Sequence, residues 1–419
     1  MAVTPALEHS ALREVITRTV EDPGRPSTHV RPIIDQILKV IWCEQRVSRA
    51  EIARKLAVSR STVSDAVSTL LETGLVREAG DGPSSGGRRP ILLEFQDDAC
   101  VILGVDLGAT HVAVALTDLR GRVLAFQDRA HPVRTDPEGT RSVMMELCEE
   151  CLRNAQRPLV GIGVSMPAPV DPADPSHVSR LVLPAWEGRT GFEPLGARFG
   201  VPILVDNDAN LGALAERWWG AGMGKDDFTY VKISTGIGAG HMMNGAIYRG
   251  SSGFAGEIGH IAVVPDGEPC ICGNRGCLGT VVGSQALVAR AEILRSQYPD
   301  SVLSNGGLTI DAVEDAALRG DALGLQVVRE AADYLGLAIA EVLNLMNPSS
   351  IIVGGNLARL GEVLLVPLRE AVLPRTLVSS VAASEIRTSE LGPRSVAIGA
   401  ATLVLEAALD TPSLFPKAA

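Results

Sequence analysis

Four side chains that bind metal ions lie in a short, Gly-rich stretch at residues 253–280. Cys270, Cys272 and Cys277 have the spacing C-x-C-x4-C, and His260 precedes them by nine intervening residues. Three thiolates and one imidazole suit tetrahedral zinc, and four protein ligands leave no position open for water. The spacing therefore predicts a structural zinc ion that holds the loop. The alternative is a disulfide with one spare thiol, but cysteines one residue apart bridge poorly.

Further acidic and amide side chains lie inside this stretch and upstream of it. Glu257 is inside it, and Asn207 and Asp208 stand between a predicted buried strand and a predicted helix. A carboxylate at a strand end, above a cleft, can accept the proton of a hydroxyl group as a general base. In the alternative interpretation, Asn207 and Asp208 only cap the following helix.

Three glycine-rich turns follow predicted strands and indicate a duplicated α/β body. Glycine permits close approach of the backbone to a phosphate, threonine donates a hydrogen bond to it, and aspartate can hold Mg²⁺. Plain hairpin turns are the alternative for each copy. The turns resemble the nucleotide-binding loops of the actin-like and sugar-kinase superfamily, and the resemblance implies as phosphate residues Asp106, Gly108 and Thr110 in the first turn, Thr235 and Gly236 in the second, and Gly354 and Gly355 in the third.

The motifs GEIGH and CxCGxxGCL at this separation resemble the signature of the ROK family, which groups sugar kinases with sugar-responsive repressors. The resemblance implies an actin-like, two-lobed sugar-kinase body. It also implies that His260 contacts both zinc and a sugar hydroxyl, and that Glu257 and Asn207 bind further hydroxyls. In the family's kinases the aspartate that matches Asp208 is the general base, and the turns hold ATP and Mg²⁺.

Three positions depart from the family pattern. Hexose-binding members usually carry a carboxylate two residues after the last cysteine, where this chain has Gly279. Ala109 and Ala168 stand where glycine is common and leave less room near phosphate and sugar. These departures predict either a weaker affinity or a ligand other than a plain hexose.

A separate pattern upstream predicts a helix-turn-helix. An apolar helical face begins near Pro32, and the spacing of Ser48 and Glu51 is that of a capping box. Ser59 is placed to cap a second helix, which Gly74 ends. An ordinary helical hairpin is the alternative. In a DNA-binding motif the second helix would enter the major groove.

Two predicted strands after the second helix flank the sequence DGPSSGG and complete a winged helix-turn-helix. The short polar side chains of the second helix suit phosphates and base edges, and the basic wing tip suits the phosphate backbone or a narrow minor groove. The predicted DNA contacts are Ser59, Arg60, Ser61, Thr62 and Ser64 on the helix and Arg88 and Arg89 on the wing.

Length and charge separate a DNA-binding head from a larger body. A chain of 419 residues is too long for one compact domain. Residues 31–94 carry ten Lys or Arg against eight Asp or Glu, whereas the whole chain has a net charge of -11. We expect a flexible arm at 1–28, a winged helix-turn-helix domain at 29–96, and a body at 99–419 whose C-terminal helix returns to the first lobe.

Two functions are compatible with this organisation. We favour a transcriptional regulator, a repressor of carbohydrate genes, that binds a sugar or sugar derivative and palindromic operator DNA as a homodimer or homotetramer. The alternative is an ATP-dependent sugar kinase with an added head. Clustered thiols and the lack of a recognisable signal peptide predict a cytoplasmic protein, and no apolar run predicts a membrane span.

Overall fold

The computed structural model of the protein describes residues 32–83, 89–377 and 384–416. The predicted arm at 1–28 lies outside these residues, and so does Arg88 of the wing. The described residues form a helix-turn-helix head followed by a body of two lobes.

The head combines three helices with a small antiparallel sheet in the order β1-β3-β2. The strand β1 was not expected, because three residues are too few to show a periodicity, and it pairs with β3 through Arg46 opposite Glu94. The sequence predicted the other two strands, and the structure confirms them. The elements are α1 (Ile33–Glu44), β1 (Arg46–Ser48), α2 (Arg49–Lys55), α3 (Arg60–Glu72), β2 (Val76–Asp81) and β3 (Ile91–Phe95).

Both helices of the helix-turn-helix begin at the predicted caps. The Glu51 backbone N–H donates to Ser48 Oγ at 3.3 Å, and the Ser48 N–H donates to Glu51 Oε2 at 2.8 Å, which completes the capping box. Ser59 Oγ accepts a hydrogen bond from the Thr62 N–H at 3.1 Å. These caps satisfy N–H groups that a helix start otherwise leaves without partners.

The first lobe is built on a five-stranded sheet in the order β6-β5-β4-β7-β8. Strands β4, β7 and β8 are parallel, β5 pairs antiparallel with β4, and β6 pairs antiparallel with β5. The elements are β4 (Val101–Leu107), β5 (His111–Thr117), β6 (Val123–Ala130), α4 (Pro137–Leu152), β7 (Leu159–Met166), α5 (Glu193–Phe199) and β8 (Ile203–Asn207).

The second lobe repeats this topology in a sheet with the order β11-β10-β9-β12-β13. The repeat agrees with the duplication that the glycine turns predicted. Its elements are β9 (Phe228–Ile233), β10 (Ile237–Met243), β11 (Ala246–Tyr248), α7 (Gly279–Val282), α8 (Ser284–Leu294), α9 (Ile310–Leu318), α10 (Ala322–Met346), β12 (Ser350–Gly354), α11 (Glu362–Val372) and β13 (Glu385–Thr388).

Two helices connect the lobes. Helix α6 (Asp208–Trp219) packs on β9 and β10, and helix α12 (Ser395–Asp410) packs on β4, on β7 and on α6. Glycine makes this close packing possible. A Cβ at Gly163 would lie 1.8 Å from the Ala400 carbonyl oxygen, and one at Gly399 would lie 1.8 Å from the Leu211 carbonyl oxygen.

All seven cysteines carry free thiols. Burial raises the pKa of Cys100 and of Cys151 to about 11, as expected for thiols that only pack. In the ranges that the structure covers, no helix has both the length and the apolar character needed to cross a membrane.

Candidate metal centre and interlobe cleft

The predicted metal ligands come together in the loop after β11. The ligand atoms of His260, Cys270, Cys272 and Cys277 all lie within 4.8 Å of one another. Cys270 Sγ is 3.4 Å from His260 Nδ1, and Cys272 Sγ is 3.7 Å from Cys277 Sγ. Three sulfur atoms and one imidazole nitrogen fit a tetrahedral site for zinc. The arrangement could therefore hold a metal ion.

Backbone hydrogen bonds shape this loop around the four side chains. The Cys270 N–H donates to the Asn274 carbonyl at 2.8 Å, and the Gly273 N–H donates to the Cys270 carbonyl at 3.0 Å. Gly273 has a φ of 92°, which favours glycine. A Cβ at Gly276 would lie 1.7 Å from the Val264 carbonyl oxygen. The glycines of the motif thus permit a fold too tight for other residues.

His260 connects the cluster to the cleft between the lobes. Its Nδ1 faces Cys270, while its Nε2 lies 3.7 Å from Glu257 Oε2. Burial, together with the nearby charge of Asp208, raises the pKa of Glu257 to about 7. The carboxyl group of Glu257 therefore lies near two other residues that were predicted to bind hydroxyls, His260 and Asp208.

Asn207 and Asp208 have different local roles. Asn207 is the N-cap of α6, because its Oδ1 accepts hydrogen bonds from the N–H groups of Ala209 and Asn210 at 2.9 and 3.2 Å. Its Nδ2 donates to the carbonyl of Ala168 at 3.2 Å. Asp208 is the first residue of α6, and its Oδ2 accepts a hydrogen bond from Lys232 Nζ at 2.5 Å. Capping thus accounts for the Asn207 oxygen but not for the Asp208 carboxylate.

A cavity of about 440 Å³ adjoins this site. Three predicted phosphate residues, Asp106, Thr110 and Gly355, line it together with Lys232 and His111. The other predicted phosphate residues lie around these turns: Gly108 packs against His111, Gly354 packs against Tyr230, Thr235 is half-buried and Gly236 is exposed.

The head is joined to the body through a cluster of tryptophans. Trp42 of α1 is completely buried, and its ring centroid lies 5.4 Å from that of Trp218 and 6.4 Å from that of Trp219, at the end of α6. The Trp42 Nε1–H donates to the carbonyl of Leu119 at 3.2 Å. The Arg120 guanidinium lies 4.2 Å from the Trp42 ring centroid.

Further contacts hold the same junction. Arg120 Nη2 donates to the carbonyl of Trp42 at 2.6 Å, and its Nε donates to Asp97 Oδ1 at 2.7 Å. Lys39 of α1 forms an ion pair with Asp410 of α12. The buried side chains of the head and of α12 form one continuous hydrophobic cluster. The head therefore does not pack as an independent unit.

The predicted DNA-binding side chains that the structure describes are exposed, with one exception. Ser59, Arg60, Ser61 and Ser64 are exposed, and Thr62 is half-buried. Ser59 Oγ lies 2.7 Å from Ser61 Oγ and 2.8 Å from Thr62 Oγ1, so part of this set also belongs to the helix cap. Arg89 is exposed beside the wing.

Comparison with known proteins agrees with this architecture. Residues 102–407 match the model of the ROK family. The chain belongs to the ROK family. Residues 33–77 match the model of a winged helix-turn-helix DNA-binding domain. The chain thus has the organisation of a ROK family transcriptional regulator, a DNA-binding head followed by a sugar-kinase-like body.

Two relatives of this ROK protein, and one solved structure of a similar protein, extend over both parts. The chain is 31% identical to the xylose repressor of Caldicellulosiruptor bescii, covering 90% of this chain and 96% of the relative. It is 33% identical to the N-acetylglucosamine repressor of Escherichia coli O6:H1, covering 87% and 90%. A crystal structure of a ROK family transcriptional regulator, a homologue of the E. coli MLC protein, aligns with a TM-score of 0.76 and 26% identity, covering 90% and 96%.

The sequence interpretation of this ROK protein missed two groups of residues. Lys232 stands in the otherwise apolar strand FTYVKI. A buried charge requires a partner, so this lysine was itself a signal that a carboxylate lies opposite the strand. Trp42, Trp218 and Trp219 are three of only four tryptophans in the chain, but their separation along the sequence hides their contact.

Proposed function

We propose that this protein is a sugar-responsive repressor that binds operator DNA through its head and a sugar through its interlobe cleft. One observation carries the proposal. Helix α6 begins at Asn207 and Asp208 in the cleft and ends at Trp218 and Trp219, which contact Trp42 of the head. A single helix thus extends from the candidate ligand site to the DNA-binding head.

The proposed effector is a neutral sugar or sugar derivative bound by Asn207, Asp208, Glu257 and His260. Carboxylate and imidazole groups can accept or donate the hydrogen bonds of several neighbouring hydroxyls. Two relatives support this class of ligand by their names, xylose repressor and N-acetylglucosamine repressor. They also make D-xylose and N-acetylglucosamine the first probes to use.

Zinc is the proposed cofactor, held by His260, Cys270, Cys272 and Cys277. The mixture of three thiolates and one imidazole favours zinc over Mg²⁺ or Ca²⁺, which prefer oxygen ligands. Zinc would fix the His260 ring through Nδ1 and so orient Nε2 toward Glu257 and the ligand. Its role is structural, because four protein ligands complete its coordination.

We propose that the protein is cytoplasmic and that its DNA partner is a palindromic operator. Helix-turn-helix heads usually read two half-sites related by symmetry, so the functional unit would be a homodimer or a homotetramer. Arg60 and Arg89 would contact phosphates, and the short side chains of Ser61 and Ser64 would approach base edges.

Ligand binding can shift the head only through a difference in affinity between two states of the protein. A sugar that bridges residues of the two lobes would favour a closed cleft. Movement of α6 with the cleft would then displace Trp218 and Trp219 against Trp42. We propose that this displacement changes the spacing of paired heads and releases the operator.

The experiment measures DNA affinity with and without a sugar. DNA fragments that the full-length protein selects from a random pool serve as the operator, and D-xylose and N-acetylglucosamine serve as ligands. We expect one sugar to weaken binding by about 5- to 150-fold, the usual range of allosteric coupling. Asp208→Ala should bind the operator normally and lose the sugar response.

Asp311→Ala is the matched control, since Asp311 is an exposed acid in the first turn of α9 and lies in no proposed site. It should respond to the sugar like the original protein. A full sugar response in Asp208→Ala would refute the proposed ligand site.

An ATP-dependent sugar kinase is the second candidate. It is favoured by Asp106, Thr110 and Gly355, which line the cavity next to Asp208. Steady release of ADP with ATP, Mg²⁺ and one of the two sugars would support this candidate. Sugar-dependent DNA release without ADP would exclude it.

A further inference from the structure

Lys232 is a buried cation at the centre of the cleft. It lies on β9 between the completely buried Val231 and Ile233, and it is only 9% exposed. Burial of an ammonium group is unfavourable unless counter-charges and hydrogen bonds compensate it. Its Nζ donates to Asp208 Oδ2 at 2.5 Å, and this ion pair joins β9 to the start of α6.

Asp106 is a second carboxylate that lines the same cavity as this lysine. Burial raises its pKa, but the hydrogen bond with His111 and the charge of Lys232 outweigh that effect and hold the pKa below the usual value. Ser165 Oγ donates to Asp106 Oδ1 at 2.9 Å, and His111 Nε2 lies 3.6 Å from Asp106 Oδ2. Both oxygens of Asp106 therefore have partners within the protein.

The turn above Asp106 is covered as well. A Cβ at Gly108 would lie only 2.2 Å from Cε1 of His111, so the imidazole ring rests on the glycine of the turn. This is the surface that the D-x-G-x-T pattern would otherwise offer to a phosphate. His111 and Lys232 thus place two basic side chains in the region where the family's kinases hold Mg²⁺ and ATP.

We propose that Lys232 is a positioning residue whose ammonium group serves as a resident cation for Asp208 and Asp106 and takes the place of a divalent metal ion. Mg²⁺ requires oxygen ligands in a nearly octahedral arrangement, and it would meet carboxylates that are already paired. It would also be repelled by the ammonium group. Mg²⁺ therefore does not fit this cleft.

The same ion pair has a consequence for Asp208. A general base needs an oxygen that is free to accept a proton, and Oδ2 of Asp208 already accepts a charge-assisted hydrogen bond from Lys232, so only Oδ1 could take that role. The same contact holds the carboxylate in one orientation, which suits an acceptor for the hydroxyl of a bound, unmodified sugar. This consequence deepens the proposed function and rests on it.

The test uses Mn²⁺ as a probe of the carboxylates and requires neither sugar nor DNA, so its failure is distinct from failure of the proposed function. Full-length, zinc-loaded protein is titrated with Mn²⁺, and free Mn²⁺ is followed by electron paramagnetic resonance. We expect Lys232→Met to bind one Mn²⁺ at least about tenfold more tightly than the original protein, because the repulsive charge is removed. Asp106→Asn in the Lys232→Met background should abolish this site.

Two variants separate the charge from the structural role of the side chain. Lys232→Arg keeps the charge and should exclude Mn²⁺ as the original protein does. Lys232→Gln keeps a hydrogen-bond donor for Asp208, loses the charge and should acquire the Mn²⁺ site, and it replaces Lys232→Met if that variant does not fold. Lys225→Met is the matched control, because Lys225 pairs with Glu385 on the surface of the same lobe at 3.1 Å.

Three outcomes would overturn the proposal. The first is equal Mn²⁺ affinity in the original protein and in the neutral variants. The second is no Mn²⁺ binding in either neutral variant, since Lys232 would then not be the group that excludes the metal. The third is Mn²⁺ binding that survives Asp106→Asn.

Discussion

Removal of the Trp42 side chain should separate sugar binding from DNA release. Trp42 is completely buried between the head and the end of α6. Burial of a tryptophan removes about 150–250 Å² from water, which corresponds to roughly 4–6 kcal/mol at about 25 cal/mol per Å². Substitutions of Trp by Ala in protein cores cost about 3–5 kcal/mol, so we expect Trp42→Ala to lower the free energy of unfolding by a similar amount.

This loss exceeds the free energy that usually couples two sites, about 1–3 kcal/mol. A head that no longer packs firmly on Trp218 and Trp219 cannot follow a movement of α6. We therefore expect Trp42→Ala to bind the sugar with its original affinity, whereas the ratio of operator affinities without and with sugar should fall to about one.

Trp186→Ala provides a matched control within the first lobe. Trp186 is also buried, its Nε1–H donates to the carbonyl of Val133 at 2.9 Å, and it contacts Phe192 and Arg141 as Trp42 contacts other rings and Arg120. Its removal should cost a similar free energy of unfolding but leave the sugar response intact.

The assays are urea denaturation followed by circular dichroism, calorimetry of sugar binding, and operator binding by fluorescence anisotropy. Coupling through Trp42 would be refuted if Trp42→Ala kept the ratio of operator affinities within about twofold of the original value. Equal loss of this ratio in Trp186→Ala would also refute it, because the effect would then reflect general destabilisation.

Three further predictions concern the metal, the wing and a helix cap. Cys272→Ser should lower the amount of zinc bound per protein, measured by mass spectrometry of the native protein. It should also weaken sugar binding more than operator binding. A normal sugar affinity without zinc would contradict this prediction. Arg89→Ala should reduce the slope of log K against log salt by about 0.9 for one phosphate contact, and an unchanged slope would exclude that contact. Asp321 caps α10 through the N–H groups of Leu323 and Gly324. Burial raises its pKa, but these hydrogen bonds, together with those from the Val302 N–H and the Ser301 hydroxyl, outweigh that effect and hold the pKa below its usual value. Asp321→Ala should therefore cost about 0.5–2 kcal/mol at pH 7, and the difference in unfolding free energy should shrink as the pH falls below about 4, because protonation of Asp321 weakens the cap.

The local features of the fold were predictable from the order of residues. Ser48 and Glu51 satisfy backbone groups within one turn of a helix, so their spacing alone predicts the capping box. The same holds for the three cysteines of the loop, which lie within eight residues and cannot move far apart. Strand β1 of the head was missed because Arg46–Ser48 is too short for a periodic pattern.

The metal cluster, the helix-turn-helix and the duplicated turns follow from the order of residues alone, because each depends on contacts between residues that are close along the chain. The partner of Asp208 and the connection between cleft and head depend on tertiary packing instead. Lys232 meets Asp208 because β9 packs under α6, and Trp42 meets Trp218 because the head shares a core with α12. Such contacts depend on how whole elements pack, and no local spacing records them.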